Sequence, residues 1–255
     1  MILLTGHTGF VGSKLVKTIG HKKLRLVGRR KLDSQDFSFY LKSIDSTEDY
    51  SDCLKDICVV IHSAARAHVM NDDHEDAISL YKRINLDGTL NLARQAAKSG
   101  VKRFIFISSI KVNGEFSLDE AQFRFDDAPS PQDPYGISKA EAESELRKIA
   151  VETGMEVVII RPPLIYGPGV KANFAAMLRI AKKNLPLPLG AIANKRSLVA
   201  LDNLVDLIVT CIDHPKAANQ TFLVSDDHDV STTELLQMMT RAAGKTPRLI
   251  PVPVS

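Results

Sequence analysis

Long apolar runs are missing from this chain. Nowhere in its 255 residues does a stretch approach the roughly 18 to 20 consecutive apolar residues that span a bilayer. Met1 leads straight into ILL, with no basic leader and cleavage site. Together these two gaps set the expectation of a soluble, cytoplasmic protein. Cysteine is scarce as well. Cys53, Cys58 and Cys211 are odd in number, sit in apolar or helical surroundings, and lack the paired spacing of a zinc site or a disulfide framework. Neither sign of charge dominates: the formal net charge is +3, and Lys and Arg are scattered among acids. That balance gives no footing to a nucleic-acid or membrane surface, and it leaves a small molecule as the expected partner. Internal repeats and low-complexity tracts are absent.

What is present is ordinary globular material, 44% hydrophobic and 25% charged, enough for one large core or a core with a small lobe. Short β-rich apolar runs (ILLTG, LRLVG, CVVIH, RFIFISS, EVVIIR) alternate with helical patterns such as FVGSKLVKTI and AISLYKRINLDGTLNLARQAAKSG. Strands without polar alternation, separated by helices, imply a parallel sheet covered on both faces, hence a doubly wound α/β fold of Rossmann type. After about Arg161 the rhythm changes to PPLIYGPG, an amphipathic NFAAMLRIAKK and the Pro-rich NLPLPLG. Residues 1–161 are therefore expected to form the nucleotide-binding domain. Residues 162–255 are expected to form mainly a smaller substrate-binding lobe interleaved with the last Rossmann elements. The chain stops at RLIPVPVS just after a helical pattern, so a further C-terminal piece is expected to be absent.

TGHTGFVG places Gly6, Gly9 and Gly12 between the first strand and the first helix. Glycines there permit the tight turn and the close approach of backbone to a pyrophosphate, which then sits on the positive helix N-terminus. A dinucleotide is the expected ligand, with Phe10 and Val11 of the same loop beside it. One further absence bears on which dinucleotide. A NAD site carries an acid at the end of the second strand for the ribose 2′-hydroxyl, whereas a 2′-phosphate calls for arginine. Here that end reads Gly28-Arg29-Arg30, with no acid before Asp33. Arg29 and Arg30 read as a 2′-phosphate clamp, which favours NADP(H) and leaves NAD possible if Asp33 reaches back to the ribose.

The spacing G-x-x-G-x-x-G resembles the short-chain dehydrogenase/reductase superfamily, which implies a Tyr and a Lys four residues apart on a helix and a Ser at the end of the preceding strand. DPYGISKAEAESEL supplies Tyr135 and Lys139, and RFIFISSIKVNG supplies Ser108 and Ser109. Residues at i and i+4 share one helix face, so Lys139 can lie against Tyr135 and the cofactor ribose together. A phenol of pKa about 10 is a poor acid or base at neutral pH until a cation favours its phenolate. Lys139 supplies such a cation, so Tyr135 can exchange a proton with an alcohol oxygen while hydride crosses to nicotinamide. A serine hydroxyl would hold the same oxygen. By its spacing to the V-x-G turn of SIKVNG, the resemblance assigns that role to Ser109. Adjacent strand residues face opposite ways, so only one of the two serines can serve.

More closely, VIHSAARAHV, NLDGTLNLARQAAKSGVKRFIFISS, PYGISKAEAE, RPPLIYGPG and KRSLVALDNLVDLI resemble the extended class of that superfamily. The likeness is to the UDP-glucose 4-epimerase and nucleotide-sugar 4-ketoreductase families. It implies that Ala64 and Ala65 line the nicotinamide side of the cofactor groove and that Asp45 approaches the adenine. It also implies that Asn173 and Phe174 face the substrate nucleotide and that Arg196 meets its diphosphate, a task suited to a guanidinium fork. The chain departs from relatives at Leu164, where epimerases typically carry Asn, in RPP, which is similar to hydroxysteroid and dihydroflavonol reductases, and at Asn113 in the V-x-G turn. The leading expectation is NADPH-dependent reduction of a UDP-4-keto-6-deoxy-N-acetylhexosamine for surface polysaccharide. The alternative is a NAD-dependent UDP-glucose or UDP-N-acetylglucosamine 4-epimerase with the same site residues. A non-catalytic NADP-sensing regulator is the reading of another class, and the presence of both Tyr135 and Lys139 argues against it. HVMNDDHED has the composition of a metal site (His68, Asp72, Asp73, His74, Glu75) but no helical H-x-x-x-H spacing, so it is read as a polar loop over the active site with no metal. The resemblance also implies a homodimer joined through the helix of AISLYKRINLDGTLNLARQAAK and the helix bearing Tyr135.

Overall fold

The computed structural model describes residues 1–32, 37–67, 74–117, 121–170 and 172–252, leaving aside the side chains of 74–77 and 172–173. The chain forms two compact units, Met1–Pro162 with Leu204–Val224, and Pro163–Asn203 with Ser225–Ser255.

The first unit is built on a seven-stranded sheet. Its strands are β1 (Ile2–Thr5), β2 (Leu24–Gly28), β3 (Ser38–Leu41), β4 (Val59–His62), β5 (Arg103–Ile107), β6 (Glu156–Arg161) and, later in the chain, β9 (Thr221–Leu223). They lie in the order β3-β2-β1-β4-β5-β6-β9, and every pairing is parallel. The central strands ILLT, VVIH and RFIFI are buried at every position, as expected of a parallel sheet with helices on both faces. The fold is a Rossmann-type doubly wound α/β sheet. On one face Leu3, Val60, Phe104, Phe106 and Val157 join Leu92, Ala96 and Leu146 of the covering helices in a single core. The strand order reverses between β1 and β4, which puts the ligand crevice of such a sheet at the carboxyl ends of these two strands.

Four helices matter to that crevice: α1 (Phe10–Ile19), α3 (His74–Tyr81), α4 (Thr89–Lys98) and α5 (Pro134–Thr153); a short α2 (Ser51–Leu54) precedes β4. The pattern from Ala77 to Lys98 predicts one ordinary helix. The backbone instead passes from α3 to α4 through a π-helical turn, Lys82–Gly88. Such a turn inserts an extra residue into the ladder and is frequent at functional sites. Here it turns Asn85 fully inward. Gly88 then packs on Ile44 so closely that a Cβ would stand 2.8 Å from its Cγ2. The two strands at the sheet edges, β3 and β9, are half-exposed and lack the continuous apolar run that marks the central ones.

The second unit contains the parallel pair β7 (Leu164–Tyr166) and β8 (Leu198–Ala200), with α6 (Ala172–Lys183) and α8 (Thr232–Ala242). Phe174, Leu198, Val230, Leu235 and Met239 form its core. The last helix carries a full capping box, with Ser231 and Glu234 bonding each other's backbone N–H. The helix α7 (Leu201–Thr210) leads the chain onward towards β9.

Candidate active site

Gly6 follows β1 in the left-handed region, at φ 73°, and its Cα approaches the loop after β4: a Cβ there would lie 2.6 Å from the Ala64 nitrogen. A Cβ on Gly12 would lie 2.1 Å from the Gly6 oxygen. The loop can close only with glycine at both positions. The helix that follows, α1, starts at Phe10. It has Gly9 as N-cap with no side-chain hydrogen bond and carries no acid in its first turn. Its N–H groups are therefore left for an anionic ligand. Val11 and Gly12 are buried against the sheet.

The loop after β4 is held from below. Thr5 Oγ1 accepts from the Ala64 N–H at 3.2 Å and bonds His62 Nδ1 at 2.8 Å, and His62 Nε2 bonds Thr89 Oγ1 at 2.9 Å. Both ring nitrogens of His62 are thus engaged by threonine hydroxyls. Burial holds His62 neutral by lowering its pKa to about 3, with Lys139 contributing. The next residues are fixed by Asn85, which accepts from the Arg66 N–H and donates to its carbonyl and to Ser138 Oγ. Ser138 in turn bonds the Tyr135 carbonyl. Asn85 thus ties the loop of Ala64 and Ala65 to the helix bearing Tyr135. Sequence reasoning missed it, although its place in INLDGT ahead of a Gly was visible.

The N-cap of α5 is Asp133, whose side chain accepts from the Gly136 N–H at 2.6 Å, and Pro134 takes the first helical position. Tyr135 therefore sits in the first turn, with Lys139 one turn on. Lys139 is 2% exposed. Its Nζ donates to the Ile107 carbonyl at 2.8 Å and stands 4.2 Å from the Phe106 ring centroid and 5.9 Å from that of Tyr135. Burial lowers its pKa to about 7, partly opposed by Glu143. Tyr135 shifts the other way: loss of hydration raises its pKa, with smaller contributions from Asp133 and Tyr81. A cation beside it is what such a phenol needs before it can act as a base.

The two serines differ in how they are used. Ser108 is 3% exposed and donates to Glu143 Oε1 at 2.6 Å. Ser109 caps the short turn Ile110–Val112, and its Oγ accepts from the Lys111 N–H at 3.2 Å. Accepting there leaves the Ser109 proton free to donate to a ligand oxygen. Glu143 also takes Arg161 in a two-pronged pair, Nη2 to Oε2 at 2.6 Å and Nε to Oε1 at 2.9 Å. Both residues are almost fully buried. Arg161 Nη1 continues to Asn113 Oδ1 at 2.9 Å. The Asn in the V-x-G turn is thereby explained, since it anchors a buried arginine. Lys111 bridges Glu115 and Asp133, joining the Ser109 turn to the cap of α5.

Other residues singled out in the sequence lie as follows. Arg29 and Arg30 are exposed at the end of β2 and pair with no acid among the described residues, while the Arg30 carbonyl bonds His7 Nε2 at 2.8 Å. Asp45 is engaged by Arg83 through Nε at 2.9 Å and Nη2 at 2.7 Å and by Thr47, and Arg83 chiefly holds its carboxyl below the usual range. In the second unit Phe174 is buried and stacked on Tyr166 at 5.8 Å. The Arg196 side chain is exposed on a backbone bridge to Val230. Asp33, the segment 68–73 and the side chains of His74, Glu75 and Asn173 lie outside the described residues.

Residues 2–225 match the family model described as the NAD dependent epimerase/dehydratase family. The chain belongs to that family. A UDP-glucose 4-epimerase from Vibrio cholerae is 54% identical over 258 residues, which cover 99% of this chain and 79% of the relative. An N-acetyl-alpha-D-glucosaminyl-diphospho-ditrans,octacis-undecaprenol 4-epimerase from Escherichia coli O157:H7 is 28% identical over 259 residues, covering 96% and 72%. Among solved structures, the UDP-glucose 4-epimerase of Thermotoga maritima with UDP-glucose superposes with a TM-score of 0.81 at 24% identity, covering 99% of this chain and 86% of that one. The MoeE5 complex with UDP-glucose and NAD gives 0.82 at 24% identity, covering 98% and 84%. This NAD-dependent epimerase/dehydratase family member is an enzyme of the short-chain dehydrogenase/reductase type that works with a nicotinamide dinucleotide. The residues fit that cofactor: the closed glycine loop and the uncapped N-terminus of α1 suit a pyrophosphate, and the buried Lys139 suits a ribose. Among the described residues no helix is long and apolar enough to cross a membrane.

Proposed function

We propose that the chain is a UDP-sugar 4-epimerase that keeps NAD through the catalytic cycle. The observation that carries this reading is the 54% identity, over 99% of the chain, to a UDP-glucose 4-epimerase. The bound dinucleotide would accept a hydride from the sugar C4 and return it. Tyr135 takes the proton of the C4 hydroxyl as hydride leaves and gives it back after the 4-keto sugar turns over. Lys139 steadies the phenolate and the cofactor ribose, and Ser109 donates to the same oxygen as charge develops on it. Ala64 and Ala65 flank the nicotinamide, and the adenine side falls to Asp45. In the second unit Arg196 is assigned to the diphosphate and Asn173 to the nucleotide, with Phe174 as the packed support beneath. Cytoplasmic action as a homodimer belongs to the same reading.

A reductase using NADP(H) on a UDP-4-keto-6-deoxy-N-acetylhexosamine is the second reading. It is favoured by Arg29 and Arg30, exposed and without an acidic partner among the described residues. The two are separated by incubating the purified protein with UDP-glucose and no added nicotinamide, with Tyr135→Phe in parallel. The epimerase reading expects many turnovers to UDP-galactose in the wild type and a loss of about 10²- to 10⁴-fold in Tyr135→Phe. Inactivity towards UDP-glucose and UDP-N-acetylglucosamine, with NADPH consumed on a keto sugar, would replace it with the reductase.

A further inference from the structure

Tyr81 ends α3, just ahead of the π turn, and is 8% exposed. Its ring stands edge-on to that of Tyr135, with centroids 6.3 Å apart and planes at 64°. Over the Tyr81 ring lies the Arg66 guanidinium, 5.7 Å from the centroid. Arg66 is itself held at its backbone by Asn85. Tyr81 is therefore set in place from two sides, by the loop after β4 and by α5. Its hydroxyl nevertheless has no hydrogen-bond partner among the described residues. The ring is packed in, yet the hydroxyl oxygen is not sealed off, which leaves its O–H for a ligand. The edge-on contact brings the two phenols to the same side of the crevice.

We propose that Tyr81 is a substrate contact, its hydroxyl bonding a pyranose hydroxyl that neighbours the C4 oxygen handled by Tyr135, on C3 or on C6. A phenolic O–H both donates and accepts and swings to suit, which fits a site that must receive a sugar in both C4 configurations. The guanidinium over the ring helps to fix the ring's orientation. Among the described residues nothing else needs Tyr81 to carry a hydroxyl: Phe would serve the edge contact and the guanidinium stacking equally. The assignment rests on the UDP-sugar reading above.

The test is affinity, measured by calorimetry on the NADH-loaded protein, for UDP-glucose and for its 3-deoxy and 6-deoxy analogues, in wild type and Tyr81→Phe. NADH binding to each is followed by fluorescence. The substitution should weaken UDP-glucose roughly three- to tenfold, the range for one neutral hydrogen bond. It should leave NADH affinity unchanged and should not weaken the analogue that lacks Tyr81's partner. Equal UDP-glucose affinity in the two proteins would overturn the assignment, and so would the same loss for all three ligands, the signature of packing alone. A wild type that binds UDP but not UDP-glucose sinks the sugar reading and this contact with it. One that binds UDP-glucose and shows an evenly spread loss sinks the contact alone.

Discussion

Lys139 and His62 are bases held out of water beside the same ring, Phe106, with Lys139 Nζ 4.2 Å and the His62 ring 5.9 Å from its centroid. Their buried state has a consequence for the protein stripped of dinucleotide. Burial takes Lys139 from an ordinary 10.5 to about 7 in the folded protein. Between those values the unfolded chain binds the extra proton, so stability rises with pH. Cys53 and Cys211 act oppositely: burial raises them from 9.0 to about 11, so the unfolded state loses protons first and stability falls from about pH 9 upward. The thermal midpoint of the stripped protein is therefore expected to climb from about pH 7 to about pH 9 and then level or fall. In Lys139→Met the climb should vanish. A scanning-calorimetry series in which both proteins climb alike would show that Lys139 is not the titrating group. Tyr135 and Lys139 were singled out by the family resemblance, and their four-residue spacing predicted the shared helix face on which they lie. His62, Glu143 and Arg161 were not, because a charged or polar letter in a chain reads the same whether it faces water or a partner. Only the fold reveals which are enclosed.

The helix α5 is joined to the sheet by two of its own residues one turn apart, Lys139 to the Ile107 carbonyl and Glu143 to Ser108 and Arg161. The helix α5 and the ends of β5 and β6 are thus tied together, and this sets the spacing between Ser109 and Tyr135. Glu143→Gln keeps the shape but leaves Arg161 buried without its counter-charge, which costs about 3–5 kcal/mol of stability. Urea denaturation should show that loss, and replacing Arg161 and Glu143 together by apolar residues should recover most of it. A loss under about 1 kcal/mol in Glu143→Gln would mean that water reaches the pair. Legibility at this scale follows burial. The central strands announce themselves as unbroken apolar runs, whereas β3 and β9 are half-exposed edges with weak patterns. The π turn left no mark on the helical periodicity, because one inserted residue shifts the apolar stripe by less than the tolerance of the pattern. Its physical reason, Asn85 reaching both Arg66 and Ser138, lies in tertiary contacts.

At the scale of the whole molecule the open question is which dinucleotide the crevice selects, and sequence and kinship pull apart there. The end of β2 offers two exposed arginines, which local chemistry reads as a 2′-phosphate site. An epimerase gains nothing from NADPH, since it returns the hydride it takes and consumes no reductant. Exposed arginines, moreover, hold long flexible side chains in water and bind weakly unless a ligand orders them. His7 bonds the Arg30 carbonyl rather than either guanidinium, and both side chains stand exposed. We therefore expect fluorescence titration of the emptied protein to give NADH an affinity equal to or above that of NADPH. Arg29→Ala/Arg30→Ala should change the ratio of the two by less than about threefold, well under 1.4 kcal/mol. A tenfold or greater preference for NADPH that disappears in the double variant would make the turn a phosphate clamp and move the enzyme to the reductase side of its family.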